Sequence, residues 1–289
     1  LYKVVRPARP DPAVPPAPAV NLPATNNSLL PETRLETPSL AFYFLGSFRV
    51  FQDDQQVSDW SSQRSLSILK YLAANHDKPV GKDILMDQFW AEADSEVARR
   101  NLHQAIYALR QALKPGRPDF AYIKFENDCY LLNPELHIWL DFEAFEKHHQ
   151  AARRMDDAGQ MEAAIAEYSI AEEYYHGDFL EDDLYEDWPN SNRVFYRAMY
   201  LDLLDHLSGY CIEHNQYSPA ILLCKKILAK DNCAEQAYRA LIQCYLAQGQ
   251  RQLAVREYQN CVVNLKSELN LAPSPETQAL YQRIFSPSR

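Results

Sequence analysis

The stretch SEVARRNLHQAIYALRQAL, residues 95–113, decides how the first half of the sequence is interpreted. Wound as an α-helix, it gathers small and apolar side chains on one side, which predicts a face that packs on a core. These side chains are Ala98, Leu102, Ala105, Ile106, Leu109 and Leu113. The opposite side carries a polar stripe of Arg100, Gln104, Tyr107 and Gln111, with Asn101 and Ala108 on one shoulder and His103, Arg110 and Lys114 on the other. Asp94 or Ser95 is predicted to cap the helix.

The polar stripe has the residue types that recognise DNA in a major groove. Gln and Asn pair with adenine, Arg pairs with guanine or phosphate, and an Ala methyl can touch thymine. Flanking Arg and Lys side chains would neutralise phosphates. Taken alone, the stretch is equally typical of a helix that merely faces solvent, so its position in the chain must decide.

The segment before this helix predicts strands and two further helices. Aromatic and β-branched residues alternate in AFYFLGSFRVF, which predicts two strands around Gly46–Ser47, and a third weak strand follows near Gln56–Val57. Helical periodicity over 61–75 and 81–90 makes residues 95–113 the third helix of a unit.

The segment after the helix predicts a β-hairpin. FAYIKF and CYLL are joined by a turn at Glu126–Asp128, and Asn-Asp suits a tight turn. A third helix that directly precedes a hairpin is the recognition helix of a winged helix-turn-helix, in which the hairpin is the wing.

Composition and charge bound the class of protein. The chain has 47% hydrophobic residues, 24% charged residues and a net charge of −10, which is typical of a globular protein without a general coat of nucleic acid. No apolar run is long enough to span a membrane, so we expect a soluble, cytoplasmic protein. The six cysteines have no zinc-ligand spacing, and no nucleotide loop or nucleophile motif occurs. We therefore predict no metal, no cofactor and no enzymatic activity.

Proline marks the beginning of the chain. Residues 1–39 hold half of the 18 prolines, which predicts an extended linker. We expect an upstream sensory domain before Leu1 in the same chain. The predicted boundaries are 1–39 for the linker, 40–135 for a winged helix-turn-helix domain and 136–289 for a helical domain.

The C-terminal half carries an internal repeat. Gly159-x4-Ala164-Ile165-x2-Tyr168 recurs as Asn215-x4-Ala220-Ile221-x2-Cys224 and as Gly249-x4-Ala254-Val255-x2-Tyr258. The last two copies are 34 residues apart, the tetratricopeptide (TPR) period. We expect the Gly or Asn to end one helix in a left-handed conformation and the Ala to allow close packing of the next. The predicted fold class is mainly α, a small α+β winged helix-turn-helix domain followed by an all-α TPR-like helical repeat domain.

Two further polar clusters are predicted to lie in solvent. HIWLDFEAFEKHH, residues 137–149, lacks the spacing of a metal site, so its Asp and His residues are predicted at a solvated helix start and end. The acidic run Glu181–Asp183, with Glu186 and Asp187, is predicted to be a solvated loop. Contact of this run with a basic polymerase surface is the alternative.

Two known families share these motifs. ARRNLHQAIYALRQAL is similar to the recognition helix of the OmpR/PhoB-type winged helix, with an Arg at its start and a Leu-Arg pair near its end. GQRQLAVREYQNCVVNLKSELNLAPSPETQALYQRIF resembles the end of the bacterial transcriptional activator domain, with an Ala-x-x-x-Tyr helix and an EL-x-x-x-P-x-P-E motif. Together, residues 40–285 resemble the Streptomyces antibiotic regulatory protein (SARP) family.

The resemblance implies a transcriptional activator that binds direct repeats in double-stranded promoter DNA as a head-to-tail homodimer and touches RNA polymerase. By carry-over, groove contacts fall on Asn101, Gln104, Tyr107 and Ala108, and phosphate contacts fall on Gln63, Arg64, Arg100 and Arg110. The loop of Ala91, Glu92, Ala93 and Asp94 matches the family's transactivation loop, which would face the sigma subunit. Gln111 in the polar stripe and Lys124 in the wing complete the predicted DNA-binding set.

The wing departs from the family pattern. The family usually has Arg-Gly before Gly-Tyr, whereas this chain reads FENDCYLL, in which Glu126 and Asp128 repel phosphates. Residues 40–135 contain 11 Lys and Arg against 13 Asp and Glu. The alternative function is therefore a protein-interaction scaffold or signal-receiving module whose winged helix no longer binds DNA.

We predict weak, salt-sensitive DNA binding by an isolated monomer, because a domain with excess acidic residues has little net attraction to phosphates and salt weakens the few cation–phosphate contacts that it makes. Dimerisation or polymerase would supply the remaining affinity. Fluorescence anisotropy with a labelled duplex, repeated over a salt series, measures this dependence. Tight binding by a monomer at about 200 mM salt would contradict the prediction.

Overall fold

The computed structural model describes residues 39–114 and 119–285. The linker predicted over 1–39 lies outside these residues, except for Ser39. Across the described ranges, no helix is both long enough and apolar enough to pass through a membrane.

A four-stranded sheet begins the described chain. Strands β1 (Ser39–Tyr43), β2 (Arg49–Gln52) and β3 (Gln55–Gln56) form an antiparallel meander, as the alternation of the sequence predicts. Strand β7 (His137–Leu140) pairs in parallel with the other edge of β1. The sequence did not predict β7, because four residues carry little periodicity and the partner strand lies far upstream.

Three helices and a hairpin follow, in the order of a winged helix-turn-helix. They are α1 (Gln63–Ala74), β4 (Val80–Gly81), α2 (Lys82–Trp90), α3 (Ser95–Ala112), β5 (Ile123–Glu126) and β6 (Cys129–Leu132). Strand β4 pairs with β6 to make a second, three-stranded sheet of order β4-β6-β5. Asn127 and Asp128 both have positive φ, 50° and 62°, which is the tight hairpin turn that the sequence predicts.

The rest of the described chain is helical, which confirms the predicted mainly α fold class. The elements are α4 (Asp141–Asp157), α5 (Met161–Glu172), α6 (Asn190–Glu213), α7 (Tyr217–Lys230), α8 (Glu235–Ala247), α9 (Arg251–Asn264), a π-helical turn (Leu265–Leu269) and α10 (Pro275–Phe285). Helices α6 to α9 pack in sequence, each on its neighbour, as in a helical repeat array.

The repeat motif sets how three of these helices end. Gly159, Asn215 and Gly249 have φ of 72°, 59° and 73°, so all three are left-handed as predicted. In each case the next residue, a Gln, donates its N–H to a carbonyl five residues back, which is a Schellman cap. The repeat alanines Ala164, Ala220 and Ala254 are fully buried against the neighbouring helices.

One apolar core runs from the first sheet into the helices. Phe44, which follows β1, stacks on Phe179 at 5.0 Å between ring centroids and meets Phe142 edge-on at 5.3 Å. The Leu180 N–H donates to the Phe44 carbonyl at 2.8 Å. The sheet and the helical region are therefore joined by main-chain bonds as well as by aromatic packing.

Asp141 and His149 are buried, so the prediction that they face solvent was wrong. Their exposed fractions are 1% and 7%. His149 Nε2 lies 3.0 Å from the Asp202 carboxylate; burial lowers the pKa of this imidazole, and the bond to Asp202 partly offsets that effect. The sequence window could not show this burial because the partners come from other elements.

The Asp141 carboxylate ties the first residue of α4 to the end of β1. The Phe44 N–H donates to its Oδ1 at 2.8 Å, and the Leu45 N–H donates to its Oδ2 at 2.9 Å. Burial raises the pKa of Asp141 from 3.8 to about 6, while the bonds from these N–H groups act in the opposite direction.

We predict that Gly249→Ala destabilises the fold by about 1 kcal/mol, because alanine resists the left-handed φ at this cap. A Cβ at Gly249 meets nothing within 4 Å, so backbone strain alone is tested. Gly209→Ala is the matched control, since Gly209 lies inside α6 and its added Cβ also meets nothing within 4 Å. That variant should gain roughly 0.5–1 kcal/mol. Urea unfolding measures both, and equal shifts would contradict the assignment.

We predict that Asp141→Asn lowers the free energy of unfolding by roughly 1–3 kcal/mol, because one amide NH2 would face a backbone donor. The raised pKa of Asp141 also implies that folding takes up a proton between pH 4 and 6. Stability from this group is thus greatest below the unfolded pKa and is lost as the pH rises to about 6. Unfolding measured from pH 4 to 7 should show this slope in the wild type and lose it in the variant. Exposed Asp87→Asn serves as the control and should keep it.

Candidate nucleic-acid interface

Helix α3 buries the face that the sequence predicts and leaves the polar stripe uncovered. Ala98, Leu102, Ala105, Ile106, Leu109 and Leu113 are all at most 6% exposed. Arg100, Gln104 and Gln111 are exposed, and Tyr107 is 65% exposed although it is a large aromatic residue. Asn101 and Ala108 lie half-buried on the shoulder of the stripe. The helix therefore presents amide, guanidinium and phenol groups outward from a fixed base.

The start of α3 differs in one detail from the prediction. Asp94 occupies the N-cap position, but its side chain makes no capping hydrogen bond. In the first turn, Arg99 pairs with Glu96 at 3.3 Å. Arg100, the next residue, forms no ion pair within the described part of the chain, so its guanidinium is available to a ligand.

Arg110 has a structural role that the sequence did not reveal. Its Nε and Nη2 donate to the Ile123 carbonyl at 3.2 and 3.0 Å. The guanidinium thus fastens the first strand of the wing to α3. Its three other N–H groups form no hydrogen bond with another described residue. A phosphate contact by Arg110 would therefore be made by a side chain that is already positioned.

The first turn of α1 can accept an anion. The Ser62 hydroxyl caps the helix by accepting the Ser65 N–H at 3.3 Å, and the first turn contains no acidic residue. Exposed N–H groups and the positive end of a helix dipole favour a phosphate at such a position. Gln63 and Arg64, both exposed, begin this turn.

Arg64 is held in place from two sides. Its guanidinium carbon lies 5.6 Å from the ring centre of Phe89 and 6.0 Å from that of Trp90, the distances of cation–π contacts. On another side, its Nη1 donates to Glu186 Oε1 at 3.3 Å. The side chain keeps 44% of its surface exposed.

The wing has a fixed and largely neutralised tip. Lys82 Nζ lies 2.7 Å from the Asp128 carboxylate, and the Lys82 N–H donates to the Asp128 carbonyl. The hydrogen bond to Asp128 raises the pKa of the Lys82 ammonium. Lys124, the predicted wing cation, lies 3.8 Å from Glu135. Neither the turn nor Lys124 therefore offers an unbalanced positive charge.

The loop between α2 and α3 is short and accessible. Ala91, Glu92 and Asp94 are exposed, and Ala93 is half-buried with its N–H donating to the Trp90 carbonyl at 3.0 Å. The loop is thus anchored to the end of α2 and presents two carboxylates to solvent.

The acidic loop, residues 181–187, is only partly solvated, because two of its five carboxylates pair with α1. Asp183 pairs with Lys70 of α1 at 2.6 Å, and these side chains are 20% and 7% exposed. Glu186 pairs with Arg64 of the same helix. The sequence could not show these pairs because more than 110 positions separate the partners.

Arg193, at the start of α6, gives the acidic loop its shape. Its guanidinium donates to the carbonyls of Phe179, Leu180, Asp183 and Glu186 and to the side chain of Asn190. The guanidinium of this half-buried Arg therefore supplies donors for main-chain carbonyls of an irregular segment.

A three-helix unit with a wing and an outward polar stripe, followed by a helical repeat array, defines a transcriptional regulator with a DNA-binding domain. Residues 140–285 match the family described as bacterial transcriptional activator domain, and residues 60–127 match the family described as transcriptional regulatory protein, C terminal. The chain belongs to the bacterial transcriptional activator domain family and is a regulator of the SARP type. Both matched families are transcriptional regulators and not enzymes.

One solved structure shares the fold of this chain, and two others align over half of it with low TM-scores. Mycobacterium tuberculosis EmbR, in complex with a low-affinity phosphopeptide, aligns with a TM-score of 0.66 at 22% identity, over 87% of this chain and 67% of EmbR. The Arabidopsis OM64 TPR domain aligns with a TM-score of 0.35 at 13% identity, over 50% of this chain and 97% of its own. The C-terminal TPR-containing domain of a Plasmodium falciparum FK506-binding protein aligns with a TM-score of 0.38 at 12% identity, over 50% and 87%. No curated protein matched the chain.

Proposed function

We propose that the protein activates transcription by inserting α3 into the major groove of promoter DNA. The observation that carries this proposal is the uncovered polar stripe, Arg100, Gln104, Tyr107 and Gln111, on a helix whose opposite face is fully packed. A helix anchored in this way can hold side chains against base edges with little further loss of backbone conformational entropy. Asn101 and Ala108 would reach bases from the shoulder of the stripe.

Phosphate contacts would come from both sides of the groove. Gln63 and Arg64 at the start of α1 lie at a helix N-terminus that lacks acidic residues, and Arg100 has no competing ion pair among the described residues. Arg110 would contact the DNA backbone through the N–H groups that do not bind the Ile123 carbonyl. The balanced charges of the wing argue that Lys124 contributes little, and that the wing lies beside the duplex rather than in a groove.

The proposal extends to the transcription machinery. The exposed loop of Ala91, Glu92, Ala93 and Asp94 would face the sigma subunit of RNA polymerase, where its two carboxylates suit a basic surface. Two protomers would bind adjacent promoter repeats as a homodimer on DNA. We expect the protein to act in the cytoplasm, where it has access to DNA.

A scaffold that no longer binds DNA is the second candidate. The observations that favour it are the excess of acidic residues over basic residues in the region 40–135 and a wing whose cations are paired with carboxylates. Under this proposal, the winged helix would serve as a protein-docking module, and the polar stripe would be a hydrated surface.

The two candidates predict different results for Arg100→Ala/Gln104→Ala/Tyr107→Ala. Duplexes are first selected from a random-sequence pool with the wild-type protein, and affinities are then measured on a selected site and on a scrambled site. We expect the variant to lose at least tenfold in affinity for the selected site, since each base contact is worth about 1–3 kcal/mol. Arg110 is left intact because its loss would release the wing.

A surface variant on another helix controls for general effects of charge and exposure. Arg256→Ala/Gln259→Ala changes exposed residues of α9 and should leave the affinity for the selected site unchanged. Circular dichroism of all proteins checks that the fold is kept. Failure of the wild type to enrich any duplex, or equal binding by wild type and triple variant, would favour the scaffold.

A further inference from the structure

We propose that Glu186 controls DNA binding by competing with a DNA phosphate for the guanidinium of Arg64. This inference rests on the proposed function, since it concerns the phosphate contact at the start of α1. Glu186 lies within the region 140–285 and Arg64 lies within the region 60–127. The ion pair therefore couples the activator domain to the DNA-binding helix through one side chain.

The carboxylate of Glu186 engages a guanidinium donor of Arg64 that a phosphate would otherwise use. Arg64 is the second residue of α1, and the rings of Phe89 and Trp90 limit where its guanidinium can move. Glu186 Oε1 accepts a hydrogen bond from Arg64 Nη1 at 3.3 Å. Because the Arg64 side chain is 44% exposed and that of Glu186 is 25% exposed, an approaching duplex can reach the pair.

Glu186 is presented to Arg64 by contacts that do not involve its own carboxylate. Asp183 is paired with Lys70, and the Trp188 ring packs edge-on against Tyr71 with centroids 5.1 Å apart. Arg193 binds the main chain of the loop at Asp183 and Glu186. The loop is thus fixed on α1 at both ends, so removal of the Glu186 charge should leave its position unchanged.

The charge balance gives the direction of the effect. A guanidinium that is already paired within the protein neutralises a DNA phosphate less well and so releases fewer counterions from the DNA. Glu186 therefore lowers both the affinity and its salt dependence. The carboxylate also repels any phosphate that approaches the same guanidinium. A partner that drew the acidic loop away from α1 would therefore increase DNA affinity without touching the duplex.

A double-mutant cycle tests the inference with four full-length proteins: wild type, Glu186→Gln, Arg64→Ala and Glu186→Gln/Arg64→Ala. Binding to one selected duplex is measured over a salt series. We expect Glu186→Gln to tighten binding by about two- to fivefold, the scale of a partly exposed ion pair. It should also steepen the dependence of log affinity on log salt by about 0.9, corresponding to one more phosphate. In the Arg64→Ala background, Glu186→Gln should change neither quantity.

Asp182→Asn is the matched control, because it removes the same charge from the same loop at an exposed residue for which no contact with Arg64 exists. It should leave affinity and salt slope close to the wild-type values. Equal gains from Asp182→Asn, or a gain from Glu186→Gln that persists without Arg64, would show a general charge effect and overturn the inference. Weaker binding by Glu186→Gln would overturn it as well. Failure of all proteins to bind any duplex would instead overturn the proposed function together with this inference.

Discussion

The buried carboxylate of Asp141 is the constraint on which the rest of the structure depends. It is the first residue of α4, and it accepts the N–H groups of Phe44 and Leu45 where β1 leaves the sheet. Those N–H groups have no strand partner at that point, so without the carboxylate they would be buried and unsatisfied. The aromatic side chains of Phe44, Phe142 and Phe179 close around the same junction. The Asp141 carboxylate thus allows the first β-sheet and the helical array to share one apolar core.

The features that the sequence predicted correctly are those encoded in short windows. The left-handed caps at Gly159, Asn215 and Gly249 follow from residue type and spacing alone. The buried face of α3 follows from its periodicity, and the hairpin turn follows from Asn127 and Asp128. Each of these is decided within a few residues, where backbone preference and side-chain pattern agree.

The features that were missed depend on partners distant in the sequence. Strand β7 exists because β1 offers an open edge, and nothing in HIWL alone specifies that pairing. The acidic loop has the composition of a solvated segment, yet Lys70 and Arg64 on α1 engage two of its carboxylates. Arg110 has the appearance of a DNA ligand in the sequence, and only the folded chain shows its bonds to the Ile123 carbonyl. The composition of a segment cannot show whether a charged side chain is solvated or paired with a residue that is distant in the sequence.

Charge pairing within the protein shapes the interface as much as the exposed stripe does. Of the cations predicted to contact DNA, Arg64, Arg110 and Lys124 are each engaged by another part of the chain. In the proposed complex, such an interface would gain little from the general attraction of a polyanion, and base contacts would supply a larger share of the binding energy. This weighting favours discrimination between sites over tight binding to any duplex.

Strand β7 ends at Leu140 and α4 begins at Asp141, with no residue between them. The sheet and the helical array are therefore joined directly, without a flexible linker. The main-chain hydrogen bonds of the parallel ladder between β1 and β7 would resist a rotation of the helices relative to the sheet. A partner bound at α10 would therefore act on the first sheet through the whole helical array. A rotation of the array against the first sheet would have to break this ladder and the hydrogen bond from the Leu180 N–H to the Phe44 carbonyl.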